Sequence, residues 1–327
     1  MSDPLVRERT RVDLPRLVVA GLGVGSVACL LAWVYGLGTF RLWFLLTGLP
    51  SLLALAGLGW ATRTRGRDGL RLALVAGTVG GLVGTVGYDV FRIPFVLGGL
   101  RLFAPIESYG ILLLGADGSS STTDFAGWAY HFCNGIGFGI TYAAVALGRR
   151  WPWAVLWGVI LETATILTPF ADAYAIRGKW DLIAIAYAAH LAYGIPLGLT
   201  VQRAVRRERE RPLVVPASWA LGALVVTLVL WHQPFTSDDL DKAGRAVADG
   251  PSAVVANGRL HPQWSRVRPG QCVPVRNLDD VAYPLPGGAT LGAHAKGQLC
   301  VSGRGAHRVK LGASYSGGFV LVDDQLR

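Results

Sequence analysis

Long uninterrupted apolar runs limit the fold of this chain more than any other feature of its sequence. Residues 17–37 and 213–231 are two such runs. At about 1.5 Å of rise per residue, a helix over either run crosses a hydrocarbon core of roughly 30 Å. Only 16% of the 327 residues are charged, whereas soluble domains carry about 25%. The sequence therefore predicts an all-α polytopic membrane bundle.

The apolar runs predict seven transmembrane helices within residues 17–231. Their predicted ranges are 17–37, 42–61, 72–91, 127–147, 153–170, 182–201 and 213–231. Residues 106–116 are also apolar but too short to cross alone, so they predict a re-entrant or interfacial segment, followed by a flexible loop at 118–124. If this segment crossed, the chain would have eight helices and every later helix would be inverted.

The distribution of basic residues predicts the orientation. With residues 1–16 in the cytoplasm, the cytoplasmic segments hold fifteen Lys and Arg residues and the opposite loops hold five. Cytoplasmic loops of membrane proteins carry such an excess. The formal net charge of +10 is then a consequence of orientation and does not indicate a nucleic-acid partner. We expect a multi-pass protein of a bacterial cell membrane with a cytoplasmic N-terminus and an extracytoplasmic C-terminus.

Residues 232–327 have a different composition and predict a small extracytoplasmic all-β domain. Short β-type runs at 271–276, 298–302, 308–311 and 318–322 alternate with Gly and Pro clusters, which is typical of a sandwich or barrel. Cys272 and Cys300 lie in this part, and a disulfide persists outside the cytoplasm. We predict that they pair and stabilise the domain by roughly 3–4 kcal/mol. Cys29 and Cys133 lie in different helices and are predicted to be packing residues.

Two families resemble parts of this β domain. The stretch from Tyr283-Pro-Leu-Pro-Gly-Gly to Lys296-Gly-Gln, with Gly317-Gly-Phe-Val-Leu-Val at its end, resembles a bacterial SH3-type barrel. That resemblance implies binding of a peptide or another cell-envelope component. Alternatively, Val267-Arg-Pro-Gly-Gln and Asn277-Leu-Asp-Asp-Val281 resemble the opening strands of a cupredoxin. Tyr283 stands where the first copper-ligating His of a cupredoxin lies, so this resemblance implies a copper-free domain.

The membrane part has a resemblance of its own. Tyr88-Asp-Val-Phe-Arg92 and His131-Phe-Cys-Asn-Gly-Ile-Gly-Phe-Gly139 are similar to a group of uncharacterised polytopic bacterial membrane proteins. The similarity covers the third to sixth predicted helices and implies no activity.

Ionisable residues within predicted membrane helices indicate a functional site, because a charge in a bilayer is costly. His131, Glu162 and His190 lie on the fourth, fifth and sixth helices, and the helical rise places them in one layer of the outer leaflet. Other polar residues lie one turn from these or pair at the end of the third helix. The predicted ligand-binding site comprises Asp89, Arg92, His131, Asn134, Glu162, Tyr187 and His190.

Four interpretations of this layer are open. It is a hydrogen-bond network that fixes helix packing, or a zinc centre with His131, Glu162 and His190 as ligands and water in the open position. It is an outward-open binding or transport site with Glu162 as a protonation switch, or a haem site between the two histidines beside Gly135, Gly137 and Gly139.

These interpretations lead to three functions for the whole protein. We favour an outward-facing intramembrane site that binds or transports a polar ligand, with the β domain contacting a partner. The alternative is an intramembrane metal-dependent hydrolase. The third function is a non-catalytic accessory subunit, whose Gly-rich faces contact other membrane proteins. The Gly77/Gly81 and Gly80/Gly84 spacings of the third helix are typical of such close helix contacts.

Overall fold

The fold combines a helical N-terminal part with a C-terminal sheet. A computed structural model describes residues 12–64, 68–97, 100, 102–174, 176, 178–207, 253–312 and 317–322. The seventh predicted helix, at 213–231, lies outside these described residues, as does the predicted domain boundary at 232. The other six predicted helices each coincide with helical structure.

The first two predicted spans are each interrupted. Helices α1 (Leu14–Gly23) and α2 (Gly25–Val34) bend by 47° at their junction. Asp13 caps α1, since its side chain accepts a hydrogen bond from the Arg16 backbone N–H. The second predicted span consists of α3 (Phe40–Trp43), one π-helical turn (Phe44–Gly48) and α4 (Leu49–Thr64).

The remaining helices form the body of the bundle. They are α5 (Asp68–Leu97), α6 (Ala104–Leu114), α7 (Ser121–Ala146), α8 (Pro152–Leu167), the short α9 (Phe170–Ala173) and α10 (Trp180–Arg207). By length and composition, three helices in the described part of the chain could cross a membrane, or four with the bent α1–α2 pair counted as one span. Membrane association is therefore supported, while seven crossings stay a prediction.

Glycines of α5 bring the body helices into backbone contact. A Cβ added at Gly81 would lie 2.5 Å from the Gly135 carbonyl oxygen of α7. One added at Gly84 would lie 2.9 Å from the Tyr193 carbonyl oxygen of α10. Helix α5 therefore packs between α7 and α10, antiparallel to both. The Gly77/Gly81 and Gly80/Gly84 spacings of α5 therefore serve helix packing within this chain.

The short helix α6 stays at one end of the bundle. Its 11 residues rise about 16 Å, which is too short to cross a bilayer. Gly110 of α6 packs against Thr123, in the first turn of α7, and Gly115 ends α6 with a φ of +71°. The next helix, α7, begins at once behind a Ser120 capping box. Both flanks of α6 therefore lie at the same end of the bundle, the end that contacts the sheet.

The C-terminal part is a six-stranded mixed sheet, curved as a half-barrel, with a two-stranded ribbon. The strands are β1 (Ala253–Ala256), β2 (Arg259–Val267), β3 (Cys272–Asn277), β4 (Tyr283–Pro284), β5 (Thr290–Leu291), β6 (Lys296–Cys300), β7 (Gly305–Val309) and β8 (Gly317–Val322). The order is β6-β3-β1-β2-β8-β7, with β1/β3 and β2/β8 parallel, and β4 pairs with β5. The Cys272–Cys300 disulfide joins β3 to β6, which confirms the predicted pairing.

Both faces of the sheet are covered. Strand β8 shows this, because Phe319 and Leu321 pack toward the bundle whereas Val320 and Val322 pack into the core of the β domain. On the bundle side, the Arg259 guanidinium donates a hydrogen bond to the Val34 carbonyl, at 2.8 Å. The sheet therefore sits on the end of the bundle where α2 ends.

The segment 117–119, which we call the strap, extends the sheet beyond β7. The Ser119 N–H donates to the Ala306 carbonyl at 2.9 Å, and the Arg308 N–H donates to the Asp117 carbonyl at 2.8 Å. Asp117 also lies 2.6 Å from the Lys310 ammonium. The prediction of a flexible loop at 118–124 was therefore wrong. Its first residues pair with β7, and Ser121 already begins α7.

Candidate functional site

Two carboxylate–histidine pairs lie at one level of the bundle. On α5 and α7, both carboxylate oxygens of Asp89 are 3.1 Å from Nε2 of His131. On α8 and α10, Oε2 of Glu162 is 3.1 Å from Nδ1 of His190. The two carboxylates are almost fully buried, and the two imidazoles are 15% exposed. We call these pairs the Asp89 dyad and the Glu162 dyad.

Tyr88 lies between the two dyads. Its ring centroid is 5.0 Å from that of His190, in an edge contact, and 6.1 Å from that of His131. Helix α5 holds it there because the close packing at Gly84 and Gly87 brings α10 against the same stretch of α5. The dyads and Tyr88 form one polar layer across α5, α7, α8 and α10. We call this layer the polar site.

Arg92 closes the site toward the sheet. Its guanidinium lies 3.7 Å from Asp89, one turn earlier on α5, and donates a hydrogen bond to the Leu102 carbonyl. Its central carbon also lies 4.6 Å from the Tyr88 ring centroid and 4.5 Å from that of Phe103. Since Phe103 caps α6, Arg92 joins the Asp89 dyad to the start of that helix.

Hydrogen-bond geometry fixes the tautomer of His190. Its Nδ1 lies 2.9 Å from the Ala186 carbonyl, which can only accept, so Nδ1 carries the hydrogen. In the neutral imidazole, Nε2 then has the lone pair. An imidazole oriented in this way by a backbone carbonyl is suited to accept or relay a proton at its other nitrogen.

The charges of the two dyads are compensated differently. The Asp89 carboxylate has Arg92 as a cationic neighbour in addition to His131. Glu162 is 2% exposed and has, among the described residues, neither an Arg nor a Lys within ion-pair distance. Its Oε1 is buried and lacks a hydrogen-bond partner in the same set of residues. A buried charge in this situation is costly unless a proton or another cation neutralises it.

Two of the predicted site residues lie at its margin. Tyr187 bonds to Thr163 of α8 at 3.0 Å, one residue beyond Glu162. Asn134 is buried beside the Tyr130 hydroxyl, and Tyr130 in turn donates to the Ser26 carbonyl of α2. Asn134 therefore faces the α2 side of α7, away from the contacts that the dyads make with the other described residues.

Sequence reasoning missed Tyr88 and the Leu102–Phe103 contact as parts of the site. Tyr88 precedes Asp89 and is one turn before Arg92, so the spacing was a usable signal. The sequence gives no signal for the Leu102 carbonyl, because every residue has the same backbone acceptor.

The predicted zinc set does not form a common site. His131 and His190 pair with different carboxylates. Within the described ranges, no three His, Cys, Asp or Glu side chains come together in a way that could hold a metal ion. The geometry therefore gives no support to His131, Glu162 and His190 as metal ligands.

The predicted haem position is likewise filled by protein. Gly135 and Gly139 contact α5, and Gly137 contacts Gly23 of α1, so the three glycines serve helix packing. Tyr88 occupies the space between the two histidines.

No protein-family model, no curated protein and no solved structure matches this chain. The resemblances drawn from its motifs therefore stay predictions, and a function has to be argued from the polar site itself.

Proposed function

We propose that this protein is a multi-pass membrane protein that binds a small polar ligand at the polar site and exchanges a proton there. The observation that carries the proposal is the meeting of the Asp89 and Glu162 dyads at Tyr88. Transport of the ligand is the natural extension, because ionisable layers in helical bundles mark substrate and proton pathways.

The dyads have separate roles in this proposal. Arg92 and His131 neutralise Asp89, so that dyad is the fixed part of the site and orients Tyr88 and α6. Among the described residues, the group at ion-pair distance from Glu162 is the His190 imidazole, and that imidazole is held by the Ala186 carbonyl. The Glu162 dyad is therefore the part that gains and loses a proton.

The β domain covers the sheet end of the bundle and contacts a partner from the extracytoplasmic side. Two connections support this placement: Arg259 bonds to the end of α2, and the strap pairs with β7. A peptide or cell-envelope component is the proposed partner class, in keeping with the SH3-type resemblance of Tyr283–Gly288 and the following strands.

Infrared difference spectroscopy of the full chain in lipid nanodiscs tests the proton exchange. Lowering the pH should produce the carbonyl band of a protonated, buried carboxylic acid, and Glu162→Gln should remove it. Asp181→Asn is the matched control, since Asp181 is exposed at the start of α10. A wild-type protein without this band, or one whose band survives Glu162→Gln, would contradict the proposal.

A non-catalytic accessory role is the second candidate, and one observation favours it. Only 11% of the Phe40–Thr62 span is buried, and a Cβ at Gly57 or Gly59 would meet no described atom within 4 Å. This face of α4 is open to lipid or to another membrane helix. Co-purification of a stoichiometric membrane partner, lost when Gly57 and Gly59 are replaced by Leu, would support this role.

A further inference from the structure

The chemistry of the polar site also defines what kind of ligand it takes. The argument rests on the proposed function, because it assigns a ligand class to the same site. It begins with the unsatisfied groups of the Glu162 dyad. Oε1 of Glu162 is buried without a partner in the described part of the chain, and Nε2 of His190 has the lone pair of the ring. Both groups accept hydrogen bonds.

Oε1 of Glu162 is thus an unpartnered acceptor, and an unpartnered acceptor recognises a donor. An anionic ligand is disfavoured here, because it would add a second negative charge next to Glu162. In the part of the chain that the structure describes, the guanidinium at the site is that of Arg92, which is already engaged by Asp89 and the Leu102 carbonyl. A bare metal ion is also disfavoured, since the described residues offer no group of three ligating side chains.

We propose that the ligand is a small monovalent cation with N–H donors, such as ammonium or a primary alkylammonium. One of its N–H groups bonds to Glu162 Oε1, and its charge neutralises the carboxylate. In the empty site, the carboxyl group carries the proton instead. Binding breaks the O–H bond of the carboxylic acid, and the proton leaves to water, so one cation enters as one proton departs.

The surroundings of Glu162 fit such an exchange. His190 faces it from α10, Tyr187 bonds to the adjacent Thr163, and Tyr88 lies between the Glu162 and Asp89 dyads. An aromatic face adds an attraction for an ammonium group. The titratable and charged groups around Glu162 are Tyr88, Asp89, Arg92, His131, Tyr187 and His190.

The test measures proton release on adding methylammonium chloride to the full chain in nanodiscs, in weakly buffered solution with a pH-sensitive dye. We expect one proton released for each methylammonium bound by the wild type. Glu162→Gln should release none, and Asp181→Asn should behave as the wild type. Circular dichroism shows whether Glu162→Gln has folded. If that variant has not folded, the proton release of the wild type with different cations still tests the proposal.

Two other cations distinguish the contribution of the ligand's charge from that of its N–H donors. Tetramethylammonium has the charge but no N–H donor, and sodium chloride tests a bare ion. Equal proton release by either would overturn the ammonium-type assignment. If no cation releases a proton while the carboxylic-acid band still titrates, this inference fails and the proposed function stands. If the band is absent as well, both fail.

Discussion

The two oxygens of the Glu162 carboxyl group differ in their surroundings, since Oε2 lies 3.1 Å from Nδ1 of His190 whereas Oε1 has no partner within the described residues. The pair is thus half satisfied. A half-satisfied buried pair depends strongly on the partner it does have.

Removing that partner should destabilise the bundle. We expect His190→Ala to lower the free energy of unfolding by about 1–3 kcal/mol, because it removes the imidazole beside the buried Glu162 carboxyl group. The double variant Glu162→Leu/His190→Leu should unfold close to the wild type, since both polar groups are then absent. Unfolding in mixed micelles, followed by circular dichroism, gives both values. Equal losses for the single and double variants would argue against a coupled pair.

The glycine contacts of α5 and α7 should be intolerant of a methyl group. A Cβ at Gly139 would lie 2.5 Å from Cα of Gly81, so Gly139→Ala should cost about 1–3 kcal/mol of unfolding free energy. Gly57→Ala on α4 is the matched control, because its Cβ has open space. We expect it to be neutral or to stabilise by up to about 1 kcal/mol. Thermal unfolding of the two variants in the same detergent compares them directly.

Asp279 should make the β domain sensitive to acid. Its carboxylate accepts hydrogen bonds from the N–H groups of Asn257 and Gly258, at 2.8 and 2.9 Å, and from the Tyr283 hydroxyl at 2.7 Å. These bonds, with that from Gly258 the largest contribution, lower the pKa of Asp279. The stabilisation is complete above the unfolded-state pKa of about 3.9 and is lost as the pH falls through the lower, folded-state value.

Asp279→Asn should therefore reduce stability at neutral pH and make little difference in strong acid. Its control is Asp280→Asn, because the Asp280 side chain is 96% exposed and bonds only to His294 in the described structure. Hydrogen–deuterium exchange of the β-domain amides in urea, at several pH values, measures the difference. A constant effect of Asp279→Asn across the acid range would rule out the carboxylate as its cause.

The Cys272–Cys300 bond should stabilise the sheet at its β3–β6 edge. With a sequence separation of 28 residues, its removal should cost roughly 3–4 kcal/mol on the chain-entropy description. Cys272→Ala/Cys300→Ala should thus lower the unfolding midpoint of the β domain. The same shift should follow reduction of the wild type by dithiothreitol, whereas the double variant should not respond to dithiothreitol.

The orientation predicted from loop charge can be tested by labelling. In intact cells, a membrane-impermeant maleimide should react with Asp280→Cys on the β domain. It should not react with Arg149→Cys, which follows α7 at the opposite end of the bundle. The wild type, with Cys29 buried and Cys133 partly buried, sets the background. Labelling of Arg149→Cys without labelling of Asp280→Cys would show the opposite orientation, with the disulfide in the cytoplasm.

Much of the helical part could be predicted from the sequence, because apolar run length and loop charge act locally. The predicted helix at 153–170 and the observed Pro152–Leu167 differ by only a few residues. The 47° bend at Val24 was not predicted, since it depends on packing of Gly23 and Gly25 against Thr141 and Ser51. Seven crossings cannot be assessed on the described residues, because 213–231 lies outside them.

The sheet was harder to predict for a physical reason. Strand β2, Arg259–Val267, contains Pro262 and several polar residues, and a register shift interrupts its pairing with β8. It therefore has no regular alternation of apolar and polar residues to detect.

In the polar site, the shared level of His131, Glu162 and His190 follows from helical rise. The assignment of each histidine to its own carboxylate does not, because it depends on how the helices are rotated.

The strap has a consequence for how the chain is made. Its Ser119 bonds to Ala306, which is 187 residues further along the sequence. When α6 and α7 enter the membrane during synthesis, strand β7, with which Asp117 and Ser119 pair, has not yet been made. Non-local pairings of this kind form late. We therefore expect the bundle to be inserted with this end open, and the strap to pair with β7 only after β7 itself has been synthesised.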